Sequence, residues 1–322
     1  MVQNAAHVIA DVPVEEILRG ELSRCDAVVS TIAPILRQLL ANDDHSVFSD
    51  EIVACVRGMI RSVAVQLLDE LAAASEEPEV REHSAAAIDA LISGFVANNE
   101  FLNHTHALAL EWQLTERLQA RLALEPVLSP LVQALIASTE PDMAGLAMKL
   151  LAAQARFAQS QRRMQLPLNE LPGDLLHAAL LAMRHFAGGD ELAQSQAASA
   201  EAVIRARFDE GRSRLGLISR MVTGLGAGAT AALSVTHAGV GTFLTALALA
   251  SGQNRDMAVL ATNDGQRTRF ALALRASGLK PSSVEEQFAA IHPDASLPSG
   301  IKQLGADHAA ALMSRSSAFP GN

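Results

Sequence analysis

Apolar and polar positions alternate with the clearest helical rhythm between residues 139 and 176. Met143, Leu146, Leu150, Phe157 and Met164 recur at three- or four-residue steps or their multiples, and Ala147, Leu151 and Ala155 widen the stripe. This spacing predicts a long helix with one buried side. Thr139 stands where an N-cap is expected. Glu140 and Asp142 complement the positive helix end, and Pro141 suits the first turn. Pro167 and Pro172 end the helix and hold LPLNELP extended, before a new helix from 172 to 186.

The same periodicity predicts helices on both sides. One spans residues 14–40 with a kink at Pro34. A second spans 50–74, capped by Ser49, and a third starts at SEEP (75–78). A fourth opens at Asn98 or Asn99 and runs to 124, and a fifth restarts at Glu125–Pro126 and ends at 138. Gly188–Gly189–Asp190 is the strongest break, and we place a domain boundary there. The expected layout is a loose arm (1–12), an N-terminal helical domain (13–188), a C-terminal helical domain (190–314) and a frayed tail (315–322). The C-terminal part opens with a helix from Glu191 past Arg220. Ile204, Phe208, Gly211, Leu215, Ile218 and Val222 form a heptad-like seam on it, edged by Arg205, Arg212, Arg207 and Arg214. LTALALASG and FALALRASG read as two short helices stopped by a left-handed glycine. Ser283 and Glu286 match a capping box, and a last helix is expected from 301 to 314. No segment alternates as a strand does, so the fold class is all-α.

Composition sharpens this picture. With 49 % hydrophobic residues in 322 positions, the chain can bury a large core, and alanine and leucine favour close helix packing. Two isolated cysteines, Cys25 and Cys55, make neither a disulfide framework nor a zinc site, which points to buried thiols in a reducing, cytoplasmic compartment. The first residues lack the basic and apolar regions of a signal peptide. A formal charge of −10 and 3 % aromatics argue against nucleic-acid binding.

Against that acidic background one row of cations stands out. Lys149, Arg156 and Arg163 follow each other at intervals of seven, almost two helical turns, with Arg162 beside the last. Such a row is either neutralised by Glu or Asp from neighbouring helices or forms a docking strip for an acidic partner. Phosphate binding is a third reading. Lys149, Arg156, Arg162 and Arg163 are therefore the partner-binding candidates.

Other chemistry is weaker. His104 and His106 point to opposite sides of a helix, and Glu100 with His104 supplies only two ligands, so both histidines read as surface or helix-end residues with no metal. Gly224, Gly226 and Gly228 lack the preceding strand and the third glycine of a dinucleotide loop, and they read as a helix contact or break. The charge-free run 221–254 is long enough to enter a membrane, but its many small residues favour a buried hairpin. No serine, cysteine or lysine sits in a nucleophile setting.

At LALEWQLTERLQARLALEPVLSPLVQALIAS, AMKLLAAQARFAQSQRRMQLPLNELPGDLLHAAL, FLTALALASGQ and RFALALRASGL the chain resembles an all-helical alphaproteobacterial family of unknown function, over about residues 50–292. The resemblance implies a soluble bacterial protein with HEAT-like stacked helix pairs and brings no catalytic residues. The function expected is non-enzymatic: an interaction or adaptor protein, with a regulatory role open to it. It would use arginine-edged helical faces, need no cofactor, and bind an acidic protein surface or a second copy of itself. The alternatives are a ligand-binding protein or enzyme with a pocket between the two halves, and a membrane-associated protein acting through residues 221–254.

Overall fold

The computed structural model describes residues 14–41, 50–75 and 83–315, and the all-α expectation holds: these residues form helices and turns, with no strand among them. The first helices are α1 (Val14–Ala41, with Pro34 inside), α2 (Asp50–Ala73), α3 (Ala85–Ala97) and α4 (Asn99–Leu122). Ser84 caps α3 by accepting the Ala87 N–H, and Asn98 caps α4 by accepting from Glu100 and Phe101. The Ser49 cap, most of SEEP, the N-terminal arm and residues 316–322 lie outside the described residues.

Two predicted starts move. After α4 the chain turns through Ala123 (φ +53°), and α5 (Pro130–Ile136) begins beyond Glu125–Pro126, where Ser129 accepts the Val132 N–H. The residue before a proline is pushed out of the helical region, which explains the delay. For the same reason Glu140, not Thr139, is the N-cap of α6 (Pro141–Arg162), with φ −85° and ψ 106°.

Next come α7 (Gly173–Ala187), ended by Gly188, and α8 (Glu191–Arg207), capped by Asp190. The helix expected to pass Arg220 breaks here. Phe208 is extended, residues 210–212 form a 3-10 turn, and α9 (Arg214–Gly224) restarts under a Ser213 cap. Asp209 and Ser213 accept the Gly211 and Gly216 N–H groups, local bonds that compete with a continuous helix. The heptad-like seam is thus not one surface.

The charge-free run is no hairpin. It ends α9, makes 3-10 turns over 226–233, then α10 (Val235–Ala238) and most of α11 (Val240–Ser251), interrupted where Gly226 and Gly239 have positive φ. No described helix is long and apolar enough to cross a membrane. The remaining helices are α12 (Arg255–Leu260), α13 (Arg267–Ala276), α14 (Pro281–Ile291) and α15 (Ala306–Ser314). Gly252 (φ +69°) and Gly278 (φ +82°) follow α11 and α13, as the paired Ser-Gly endings predict. Lys280 rather than Ser283 caps α14, because Pro281 takes the first helical position. The last helix starts at Ala306 rather than Ile301. Residues 301–304 turn instead, and the Leu304 carbonyl accepts from Arg275 Nε at 2.9 Å.

The described residues form two compact units. One holds residues 14–30, 250–252 and 261–315; the other holds 31–249 and 253–260. In the first, α13 is buried almost throughout and packs on α15, with Phe270, Phe288 and His292 in mutual ring contact. Arg269 pairs there with Asp26, and Thr268 donates to Glu21 at 2.6 Å.

In the second unit α4 is buried on nearly every side from Phe101 to Leu110, a pattern reserved for central helices. The helix with the clearest periodicity, α6, keeps one exposed face and is not the centre. At the middle of α4 lies Glu111, with 1 % of its side chain exposed. Its Oε1 accepts Arg214 Nη1 at 2.7 Å, and its Oε2 accepts Arg214 Nη2 at 3.0 Å and Arg255 Nη2 at 2.7 Å. A Cβ at Gly241 would come within 2.8 Å of both Glu111 Oε1 and Arg214 Nη1, so α11 passes the ion pair only because it carries glycine there. Removing one member of such a buried pair costs about 3–5 kcal/mol, because it strands a desolvated charge.

Ala123 is exposed and left-handed, so Ala123→Gly should raise unfolding free energy by about 1 kcal/mol in urea titrations. A second expectation concerns acid. Burial pushes the Glu111 carboxyl up, but the charges of Arg214 and Arg255 outweigh it and hold it at about 2. Burial lowers His106 to about 4. Both folded values lie below the unfolded ones, so both contributions are complete at neutral pH and fade as pH falls. The loss should begin near the ordinary histidine value of about 6.5 and run to about 4 for His106. It should continue from about 4.5 to 2 for Glu111, each stage on the order of 3 kcal/mol. Urea midpoints across this range should show the first stage flattened in His106→Leu.

Candidate functional site

The buried side of α6 is built from Ala147, Leu150, Ala153, Ala158 and Gln161. Small alanines let α5 and α9 approach closely. The opposite stripe, Lys149, Ala152, Arg156, Gln159 and Arg163, is exposed. Among the described residues no carboxylate forms an ion pair with Lys149, Arg156 or Arg163. The cations of the row are exposed and, among the described residues, make no direct ion pair, while the charge of Arg156 acts on Glu170.

The helix ends in a double bond closure: the Met164 N–H donates to Gln161 O at 2.9 Å and the Gln165 N–H to Ser160 O at 2.8 Å, with Met164 left-handed at φ +53°. From there residues 165–171 run along α2. Ser62 Oγ accepts the Leu166 N–H at 3.3 Å. Gln66 donates to Leu166 O at 2.9 Å and accepts from Leu168 N at 3.1 Å. These bonds satisfy a backbone that has no helix to do so. LPLNELP is therefore not wholly extended, since Leu168–Glu170 closes a 3-10 turn. α2 meets the helix end at Gly58, where a Cβ would lie 2.5 Å from Met164 Cβ and 2.8 Å from Met164 O. Glu170 Oε2 then accepts the Arg214 N–H at 2.7 Å, tying the segment to the start of α9.

These elements enclose a cavity of about 310 Å³. Leu108, Leu166 and Arg214 are its buried wall, Phe157 is half-buried, and Arg156 and Arg163 stand exposed on its lining with the amides of Gln159, Gln165 and Asn169. Arg214 is paired with Glu111, and its guanidinium lies 3.6 Å from the Phe157 ring centroid. Glu170 is the one carboxylate on the lining. Burial raises its pKa, against the Arg214 N–H bond and the charges of Arg214 and Arg156. A second cavity, about 330 Å³, lies over Gln66, Asp69, Glu70, Arg207 and Phe208, and its one arginine is already paired with Glu70 at 2.8 Å.

The four predicted residues separate. Arg156 and Arg163 meet at the cavity. Lys149 shares their exposed stripe but does not line it. Arg162 lies 5.8 Å over the Trp112 ring, which in turn meets Phe157 edge-on at 6.2 Å. Sequence reasoning missed Glu170 and Gln165. It also took Arg214 for a seam cover, whereas the residue is 1 % exposed. His104 and His106 are buried, not at the surface, and His104 Nδ1 bonds Asp256 at 2.9 Å rather than Glu100. No metal-sized cluster of His, Cys, Asp and Glu occurs among the described residues. Cys25 and Cys55 are buried free thiols, with burial raising Cys55 to about 11.

Fold and site together define an all-helical protein with a cation-edged helix face beside a small amphipathic cavity. Comparison of the chain with family models, curated proteins and solved structures returns no match. The site's dependence on close approach is testable: Gly58→Ala should displace the α6 exit and cost about 1–3 kcal/mol, measured by urea unfolding.

Proposed function

We propose that this protein is a non-enzymatic interaction module that docks an acidic partner protein along the exposed face of α6. The observation that carries the reading is the stripe of Lys149, Arg156 and Arg163, solvent-facing and without ion-pair partners among the described residues, in a chain of formal charge −10. Exposed cations on an acidic molecule steer acidic surfaces to one face and repel them from the rest. Small exposed residues on this helix, Gly145 before the first cation and Ala152 between Lys149 and Arg156, leave room for a partner element to lie close. The reading extends the resemblance to the HEAT-like alphaproteobacterial family, and with it a bacterial cytoplasmic setting. Arg162 contributes at the edge of the same face while its guanidinium covers Trp112.

Charge reversal tests this directly. Arg156→Glu with Arg163→Glu should leave the melting temperature within a few degrees of wild type, since both side chains are exposed. The partner captured by the wild-type protein should be lost, and wild-type capture should weaken as salt rises. An unchanged partner set in the double variant would reject the docking face.

A further inference from the structure

We propose that the cavity at the exit of α6 is a binding site for a small organic carboxylate carried on a compact apolar body. This goes beyond partner docking and does not depend on it.

The argument starts from charge. Three arginines and one glutamate line the cavity. Arg214 is committed to Glu111, bonded through both of its terminal nitrogens. That leaves Arg156 and Arg163, with Glu170 opposite, as the cations whose donors are open to a ligand. Glu170 has one oxygen committed to the Arg214 N–H, so its repulsion of an anion is muted. Guanidinium forks match a carboxylate in geometry as well as charge.

The wall sets the rest of the ligand. Phe157 and Leu166 present apolar surface behind the two cations, and Gln165 adds an amide at the edge. A volume of about 310 Å³ lies at the small end of ligand pockets, which suits a short acyl chain or one ring. The wall is held in advance: Ser62 and Gln66 fix the Leu166 backbone, and Arg214 lies against Phe157. Little ordering is then left to occur on binding.

The sole tryptophan provides the readout. Trp112 meets the cavity residue Phe157 at 6.2 Å between ring centroids, so an occupied cavity changes its surroundings. The full chain would be titrated with hexanoate and benzoate, following Trp112 fluorescence and heat. Acetate and inorganic phosphate would serve as charge without body, and hexanol as body without charge. The expected result is saturable binding of at least one of the two carboxylates, roughly tenfold or more tighter than any of the three comparators. Arg156→Gln and Arg163→Gln should each weaken it by about tenfold, the worth of a charge-assisted hydrogen bond. Arg184→Gln, on α7 and outside the lining, should leave it unchanged.

The proposal is overturned if neither carboxylate saturates, if acetate, phosphate or hexanol binds as tightly, or if the two arginine variants bind undiminished. Those failures would leave the docking face standing, because the exposed stripe does not require an occupied cavity. Loss of partner capture on charge reversal would likewise say nothing about carboxylate binding.

Discussion

One carboxylate shared by two guanidiniums sits at the centre of the larger unit, and most of what surrounds the cavity depends on it. Glu111, Arg214 and Arg255 come from α4, α9 and α12, and each would be expensive to bury alone. Together they close a network that specifies how those helices meet. Gly241 extends the constraint to α11, since any side chain there would strike the pair. The interaction is a poor source of net stability compared with apolar packing, but it is intolerant of error. A shift of α9 by one residue would strand a charge in the interior.

Arg214 carries this constraint outward. Its guanidinium binds Glu111 and lies on Phe157, while its backbone N–H is held by Glu170. The cavity thus inherits its back wall from the buried ion pair. Its other wall is the chain leaving α6, which lacks helical hydrogen bonds and takes substitutes from Ser62 and Gln66 on α2. A polar segment fixed by polar side chains on one side and an ion pair on the other is a rigid place to keep open space.

The electrostatic contrast is what turns this geometry toward function. Among the described residues, buried and half-buried arginines are matched with acids or carbonyls: Arg214 and Arg255 with Glu111, Arg269 with Asp26, Arg275 with the carbonyl of Leu304. The cations of the α6 face stand apart from that pattern. They are long side chains whose heads stay in water, next to one small amphipathic recess. Docking of an acidic surface and capture of a small carboxylate draw on the same excess of positive charge at different scales.

Much of the helical architecture could be read from residues alone. Asn98 caps α4, and Gly188, Gly252 and Gly278 end helices through bonds and backbone angles set within a few residues. The row Lys149, Arg156 and Arg163 was legible for the same reason, because helical spacing alone puts them on one face. The break at Phe208–Ser213 was not legible: apolar spacing continues through it, and two short side-chain bonds decide against the helix. Nor could the sequence say that Arg214 would be buried, that His104 would face Asp256, or that two arginines of the row would share a cavity with Glu170. Local periodicity dictates which side of a helix avoids water. Which acid meets a buried base depends on segments more than a hundred residues apart, and only the packed chain brings them together.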